Sequence, residues 1–132
     1  MSHEIHWLAS TLGLTLLFWL PYVLNRMVVR GVWGTLANPR AGDAPLAAWA
    51  ERARAAHANA IENLAVFAPA ALAVHVAGLG NTSTDLACAI YFCARLAHYV
   101  IYAAGIPVLR TLAFFAGWLA TCALVARLLG WL

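Results

Sequence analysis

The stretch IHWLASTLGLTLLFWLPYVLN, Ile5 to Asn25, decides the architecture. It holds no Asp, Glu, Lys or Arg, and the next charged residue is Arg26. Crossing the hydrocarbon core of a bilayer takes roughly 20 apolar residues, and this run supplies them. Trp7 and Trp19 suit anchors at the lipid–water boundary. Pro21 lies in the inner half of the run. A kink there is tolerable if neighbouring helices satisfy the carbonyl that proline leaves free. Met1-Ser2-His3-Glu4 carries no positive flank, and no small-residue cleavage motif follows the run. The segment therefore reads as a retained membrane helix rather than a removed signal.

The rest of the chain has the same character. Its 132 residues are 64% hydrophobic and only 10% charged, with a mean hydropathy of +0.80. A soluble domain runs at about 45–50% apolar and about 25% charged. That contrast excludes a typical soluble enzyme, a disordered tail and a disulfide-rich secreted module. The net charge is +3, and every basic residue is arginine. Eight arginines scattered through apolar sequence make no basic patch, which argues against a nucleic-acid partner. Cys88, Cys93 and Cys122 form no CxxC pair and read as small buried hydrophobes, not as a disulfide or zinc framework.

Turn signals divide the chain into four spans. Asn38-Pro39 and Gly42-Asp43 mark the first connection, over about 28–45. The second segment is too long for one crossing. Its start carries Glu51, Arg52, Arg54 and His57 and reads as helix projecting into water, the membrane part beginning near Asn59; Pro69 predicts a bend. Residues Gly80 to Asp85 form a polar turn with a capping residue. Gly105 ends the third helix, and Pro107 opens the fourth. The expectation is an all-α, integral membrane four-helix bundle in one domain, residues 1–132, with helices at about 5–27, 46–79, 84–104 and 107–130. Arg26, Arg30, Arg40, Arg52 and Arg54 cluster around the first connection, and Arg110 follows the third helix. The turn at 80–85 has no basic residue. The positive-inside rule then puts the first and third connections in the cytoplasm and both termini on the opposite side, with Arg127 snorkelling at the outer boundary.

Ionisable residues inside membrane segments are costly and mark sites by default. Arg52, Asn59 and Glu62 fall on one face of the second helix, and Arg95, His98 and Tyr102 on one face of the third. Arg110 sits at the same level. A Glu62–Arg95 ion pair that fixes helix packing is the plainest reading. It leaves Arg30, Arg52 and Arg110 in surplus, however. An excess of arginine around one deep carboxylate suits a small ligand with several carboxylates and one amine. His75, His57, His3 and His6 read as packing or terminal residues, and no metal site is expected from them.

The run Glu51-Arg52-Ala53-Arg54-Ala55-Ala56-His57-Ala58-Asn59-Ala60-Ile61-Glu62-Asn63 resembles the signature of the MAPEG family, membrane-associated proteins in eicosanoid and glutathione metabolism. Ala94-Arg95-Leu96-Ala97-His98-Tyr99-Val100-Ile101-Tyr102 is similar to the family's third-helix motif, Pro107-Val108-Leu109-Arg110-Thr111 to its fourth-helix entry, and Ala37-Asn38-Pro39 to its first connection. The resemblance implies a homotrimer that binds glutathione as co-substrate near the cytoplasmic face, between subunits, with lipophilic small-molecule substrates arriving from the membrane lipids. It implies that Arg30 and Arg95 contact glutathione carboxylates or the Glu62 network. Asn59 and Glu62 would hold the γ-glutamyl part and its amine, and His98 and Tyr102 would line the tripeptide pocket. Arg110 would stabilise the thiolate as the catalytic residue, with Thr111 as a hydroxyl donor. Ala55, Ala58 and Phe114 depart from some glutathione-using relatives, which carry basic residues at the first two positions and, in some, a tyrosine at the third.

The implied function is a membrane-bound glutathione-dependent transferase or peroxidase acting on lipophilic electrophiles or lipid hydroperoxides. The alternative is a non-catalytic lipid-binding or scaffold protein of the same fold. A small four-helix multidrug exporter is disfavoured, because such exporters carry their key carboxylate in the first helix, and Ile5 to Asn25 has none.

Overall fold

A computed structural model describes residues 1–132 and contains five helices: α1 His3–Leu17, α2 Leu20–Leu36, α3 Ala48–Val76, α4 Thr82–Ala104 and α5 Pro107–Leu128. Helices α1 and α2 run on as a single stretch, so four helical spans, His3–Leu36, Ala48–Val76, Thr82–Ala104 and Pro107–Leu128, are long and apolar enough to cross a membrane. The architecture is that of an all-helical, multi-pass membrane bundle.

Pro21 explains the break between α1 and α2. It sits in the first turn of α2, where its missing N–H would be unsatisfied anyway. At the break, the Tyr99 hydroxyl of α4 donates to the Phe18 carbonyl at 2.7 Å, and the two rings stack at 4.1 Å. A neighbouring helix thus satisfies backbone that a lipid tail could not.

The first span extends further than the expected end near residue 27. The apolar residues Val28, Val29, Val32, Trp33 and Leu36 continue the helix, while Arg30 rides on its surface instead of opening a polar loop. Only at Gly31, with φ 71°, does the backbone leave helical geometry. No residue of α2 is buried.

Helix α3 buries Ala50, Ala53, Ala56, Ala60, Ala70 and Ala71. Small residues let helices approach closely where hydrophobic expulsion from water supplies no drive. The core falls into two apolar clusters. One gathers Leu8, Phe67, Val74, Cys88, Tyr91 and Leu124. The other gathers Phe18, Ala53, Ala56, Ala60 and Tyr99 toward the α2–α3 connection. Asn59, Arg95 and His98 form a polar layer beside Ala60 and Tyr99 of the second cluster, with Arg95 one turn from Tyr91 of the first.

The far end is closed by polar contacts. The buried Glu4 carboxylate accepts from the Thr84 hydroxyl at 2.7 Å, and Asn81 caps α4 in a capping box. Arg127 bonds carbonyls at this same end. Its Nε donates to the Leu79 carbonyl at 3.1 Å, and its Nη1 to the Leu132 carbonyl at 2.7 Å. His75 bonds Ser2 at 3.0 Å, and His57 bonds the Tyr22 hydroxyl at 2.7 Å.

Tyr99→Phe should lower stability by about 1–2 kcal/mol, because it keeps the ring stack but orphans the Phe18 carbonyl. Thermal unfolding of the purified protein in detergent reads this directly.

Candidate functional site

The site begins with a cation among apolar and aromatic side chains. Arg95 on α4 is 2% exposed. No carboxylate pairs with it. Its Nη1 donates to the Asn59 Oδ1 at 3.1 Å, and its Nη2 to the Phe114 carbonyl at 3.4 Å. The guanidinium lies 5.6 Å from the Tyr91 ring centre and 5.5 Å from that of Phe114. An amide oxygen, a backbone carbonyl and two π faces therefore share the charge. Room for it comes from Gly117 of α5. A Cβ there would stand 3.1 Å from Nη2 and 3.2 Å from Nε.

The remaining α4 residues continue toward the α4–α5 connection. His98 is buried, with Tyr102 edge-on at 5.5 Å and Phe114 at 6.4 Å. Arg110, in the first turn of α5, places its guanidinium 4.3 Å from the Tyr102 ring centre. That contact holds a fixed positive charge beside the aromatic wall. Arg52 of α3 meets the same end of α4. Its Nε donates to the Ala103 carbonyl at 3.0 Å, and its guanidinium packs against Gly105, whose φ of 82° terminates the helix. A cation at a helix C-terminus compensates the partial negative charge of the last carbonyls.

The residue types, their order and their arrangement agree with one comparison. The profile of the MAPEG family matches residues 6–130.

The chain belongs to the MAPEG family.

No curated protein and no solved structure matches it. Membership supports a glutathione-related membrane function at the level of the family.

The structure sorts the candidate residues of this MAPEG chain into three groups. Asn59 and Arg95 are joined directly, while His98, Tyr102 and Arg110 form a contiguous wall. Arg30 lies apart, on α2, and faces the α2–α3 connection. It pairs with Asp43 at 3.6 Å and donates to the Ala44 carbonyl at 2.8 Å. Thr111 turns its hydroxyl back to the Pro107 carbonyl of its own helix at 3.2 Å. Glu62 stands alone, exposed on α3 and outside both ion pairs of the chain. The Glu62–Arg95 pair considered from sequence does not form. Arg95 takes the amide oxygen of Asn59 instead, one turn earlier on α3.

Sequence reasoning missed three participants. Tyr91 and Phe114 cradle the guanidinium through ring faces and a carbonyl, contacts that no motif spells out. Asn63 was legible: it follows Asn59 by four residues, and its Nδ2 donates to the Asn59 carbonyl at 2.8 Å and to the Asn59 Oδ1 at 3.3 Å. Asn63 also opens onto a cavity of about 290 Å³ between α3 and α5, whose other walls include Val66, Trp118, Cys122, Val125 and Trp131.

Proposed function

We propose that this MAPEG protein is a membrane-bound, glutathione-dependent transferase or peroxidase that acts on lipophilic electrophiles or lipid hydroperoxides. The observation that carries the reading is the charge pattern of the polar layer. Arg95 is held by ring faces and two oxygen acceptors and Arg110 by the Tyr102 ring, neither in an ion pair, and Glu62 is a free carboxylate on α3. More cations than acids in this layer, with one free carboxylate among them, suit a tripeptide with two carboxylates, a thiol and one ammonium.

In this reading Glu62 holds the ammonium. Arg95, reached through Asn59, and Arg30, near the connection, supply positive potential for the carboxylates. His98 and Tyr102 form the pocket wall, and Thr111 becomes a hydroxyl donor at its rim only by releasing the Pro107 carbonyl. Arg110 stabilises the thiolate. A cysteine thiol with pKa near 8.5 is mostly protonated at neutral pH, and a guanidinium within hydrogen-bond reach favours the ionised nucleophile. The thiolate sulfur then forms a bond to an electrophilic carbon as the leaving group departs with its electron pair. We further propose a homotrimer, in which the exposed Glu62 of one subunit faces its neighbour, with the site toward the cytoplasm.

Calorimetry on the detergent-purified protein tests the reading. Glutathione should bind with micromolar to millimolar affinity, and Glu62→Gln should reduce binding by at least about tenfold while the oligomer persists. A folded wild-type protein that binds no glutathione overturns the reading in favour of a lipid-binding scaffold. An oligomer that dissociates on Glu62→Gln assigns that carboxylate to assembly.

A further inference from the structure

The hydrogen bonds around Asn59 have a direction, and that direction determines what Asn59 can offer a ligand. Arginine only donates. The carboxamide atom that meets Arg95 at 3.1 Å is therefore the oxygen. Asn63 supplies a second donor to the same oxygen, at 3.3 Å, while the same nitrogen also bonds the Asn59 carbonyl at 2.8 Å. Both acceptors that face Asn63 demand its N–H2 group, which fixes the Asn63 amide as well. The two lone pairs of the Asn59 Oδ1 are thereby used within the chain. Its Nδ2 makes no hydrogen bond there, and the residue is half-buried, so the group left to meet a ligand is a pair of N–H donors.

We propose that Asn63 is a positioning residue. Together with Arg95 it locks the Asn59 carboxamide with its N–H2 group toward the ligand, so that Asn59 reads a carboxylate oxygen and leaves the ammonium to Glu62. The proposal rests on the glutathione reading, which it sharpens. It replaces the expectation that Asn59 shares the amine with Glu62, because a carboxamide whose oxygen is occupied twice cannot accept from an ammonium. The γ-glutamyl head is then read by polarity: its carboxylate lies toward Asn59 and its ammonium toward Glu62, one turn deeper along α3. Asn63 need not touch the ligand. Its contribution is to make the alternative amide orientation costly, since a flip would set N–H2 groups against both the guanidinium and the Asn63 donor.

The test uses the full-length protein in detergent and three probes: glutathione, glutaryl-cysteinyl-glycine, which lacks the amine, and 4-aminobutyryl-cysteinyl-glycine, which lacks the γ-glutamyl carboxylate. Calorimetry gives the dissociation constant of each for wild type, Asn59→Asp and Asn63→Ala. Asn59→Asp should weaken glutathione and the amine-free probe by about tenfold or more, and the carboxylate-free probe by less than about threefold. Asn63→Ala should show the same selectivity with a smaller loss, about three- to fivefold, on the two carboxylate-bearing probes. A merely structural role would weaken all three probes alike, and that result overturns the proposal. Binding of glutathione by Asn59→Asp that equals or exceeds wild type also overturns it, because the residue would then accept from the ammonium rather than donate to a carboxylate. Both outcomes leave the glutathione reading intact. Failure of wild type to bind glutathione at all removes both.

Discussion

Asn59→Leu should destabilise the folded protein by roughly 3 kcal/mol, the largest loss expected from a single side chain outside the apolar clusters. The reason is the charge left behind. Arg95 is 2% exposed, and the Asn59 oxygen is its shortest hydrogen-bond acceptor. Leucine takes that acceptor away but leaves the guanidinium in place. Its Nε already has no partner, and the Phe114 carbonyl is 3.4 Å from Nη2, so little capacity remains to absorb the loss. Removing the cation as well should restore most of the stability. In the double variant Asn59→Leu with Arg95→Met, an apolar pair replaces the polar one, and a buried charge no longer goes unmet. Thermal unfolding of the four members of this cycle in one detergent measures the coupling. A single-variant loss below about 1 kcal/mol would show that Arg95 finds another acceptor, and the polar layer would then not depend on Asn59.

The second large effect concerns chemistry. Arg110→Ala should reduce turnover with an apolar electrophile by about a hundredfold or more, while glutathione affinity changes by less than about threefold. Arg110 is held over the Tyr102 ring at 4.3 Å, so its charge is pre-placed and need not reorganise when the thiolate forms. The absorbance of bound thiolate should fall in parallel. If that absorbance is unchanged in Arg110→Ala, Arg110 is not the group that stabilises the sulfur. If affinity falls as far as turnover, Arg110 binds a carboxylate and another residue must face the thiol.

Much of this architecture is legible in the residues. Apolar run length announces the four spans, and Pro107 and Gly105 mark the helix ends as they stand in the structure. The first connection was harder to read. Arg30 looks like the start of a polar loop, yet one charge on a helix otherwise built from Val28, Val29, Val32 and Trp33 does not stop helix formation. The contacts of the candidate layer were legible at the level of helix faces. Helical periodicity brings Asn59 to the Arg95 stripe and Arg110 to Tyr102, but it does not specify rotamers. Whether Arg95 turns to a carboxylate or to an amide depends on a difference of one helical turn between Glu62 and Asn59, and on Gly117 leaving space for the guanidinium. Backbone partners such as the Phe114 and Ala103 carbonyls have no sequence signature at all, because every residue carries the same group.

The buried Arg95 also bears on how the chain is made. A helix with an arginine at its centre pays about 2.5–3.5 kcal/mol to leave the insertion machinery alone for lipid. Helix α4 brings His98 one turn from Arg95, which adds to that cost. Asn59 is synthesised earlier, on α3, and only a short turn separates the two helices. The acceptor is therefore already at hand when Arg95 emerges, and α3 and α4 can move into the bilayer as a paired hairpin. The Phe114 carbonyl and the Gly117 recess arrive last, with α5. Synthesis thus delivers the cation's partner before the cation.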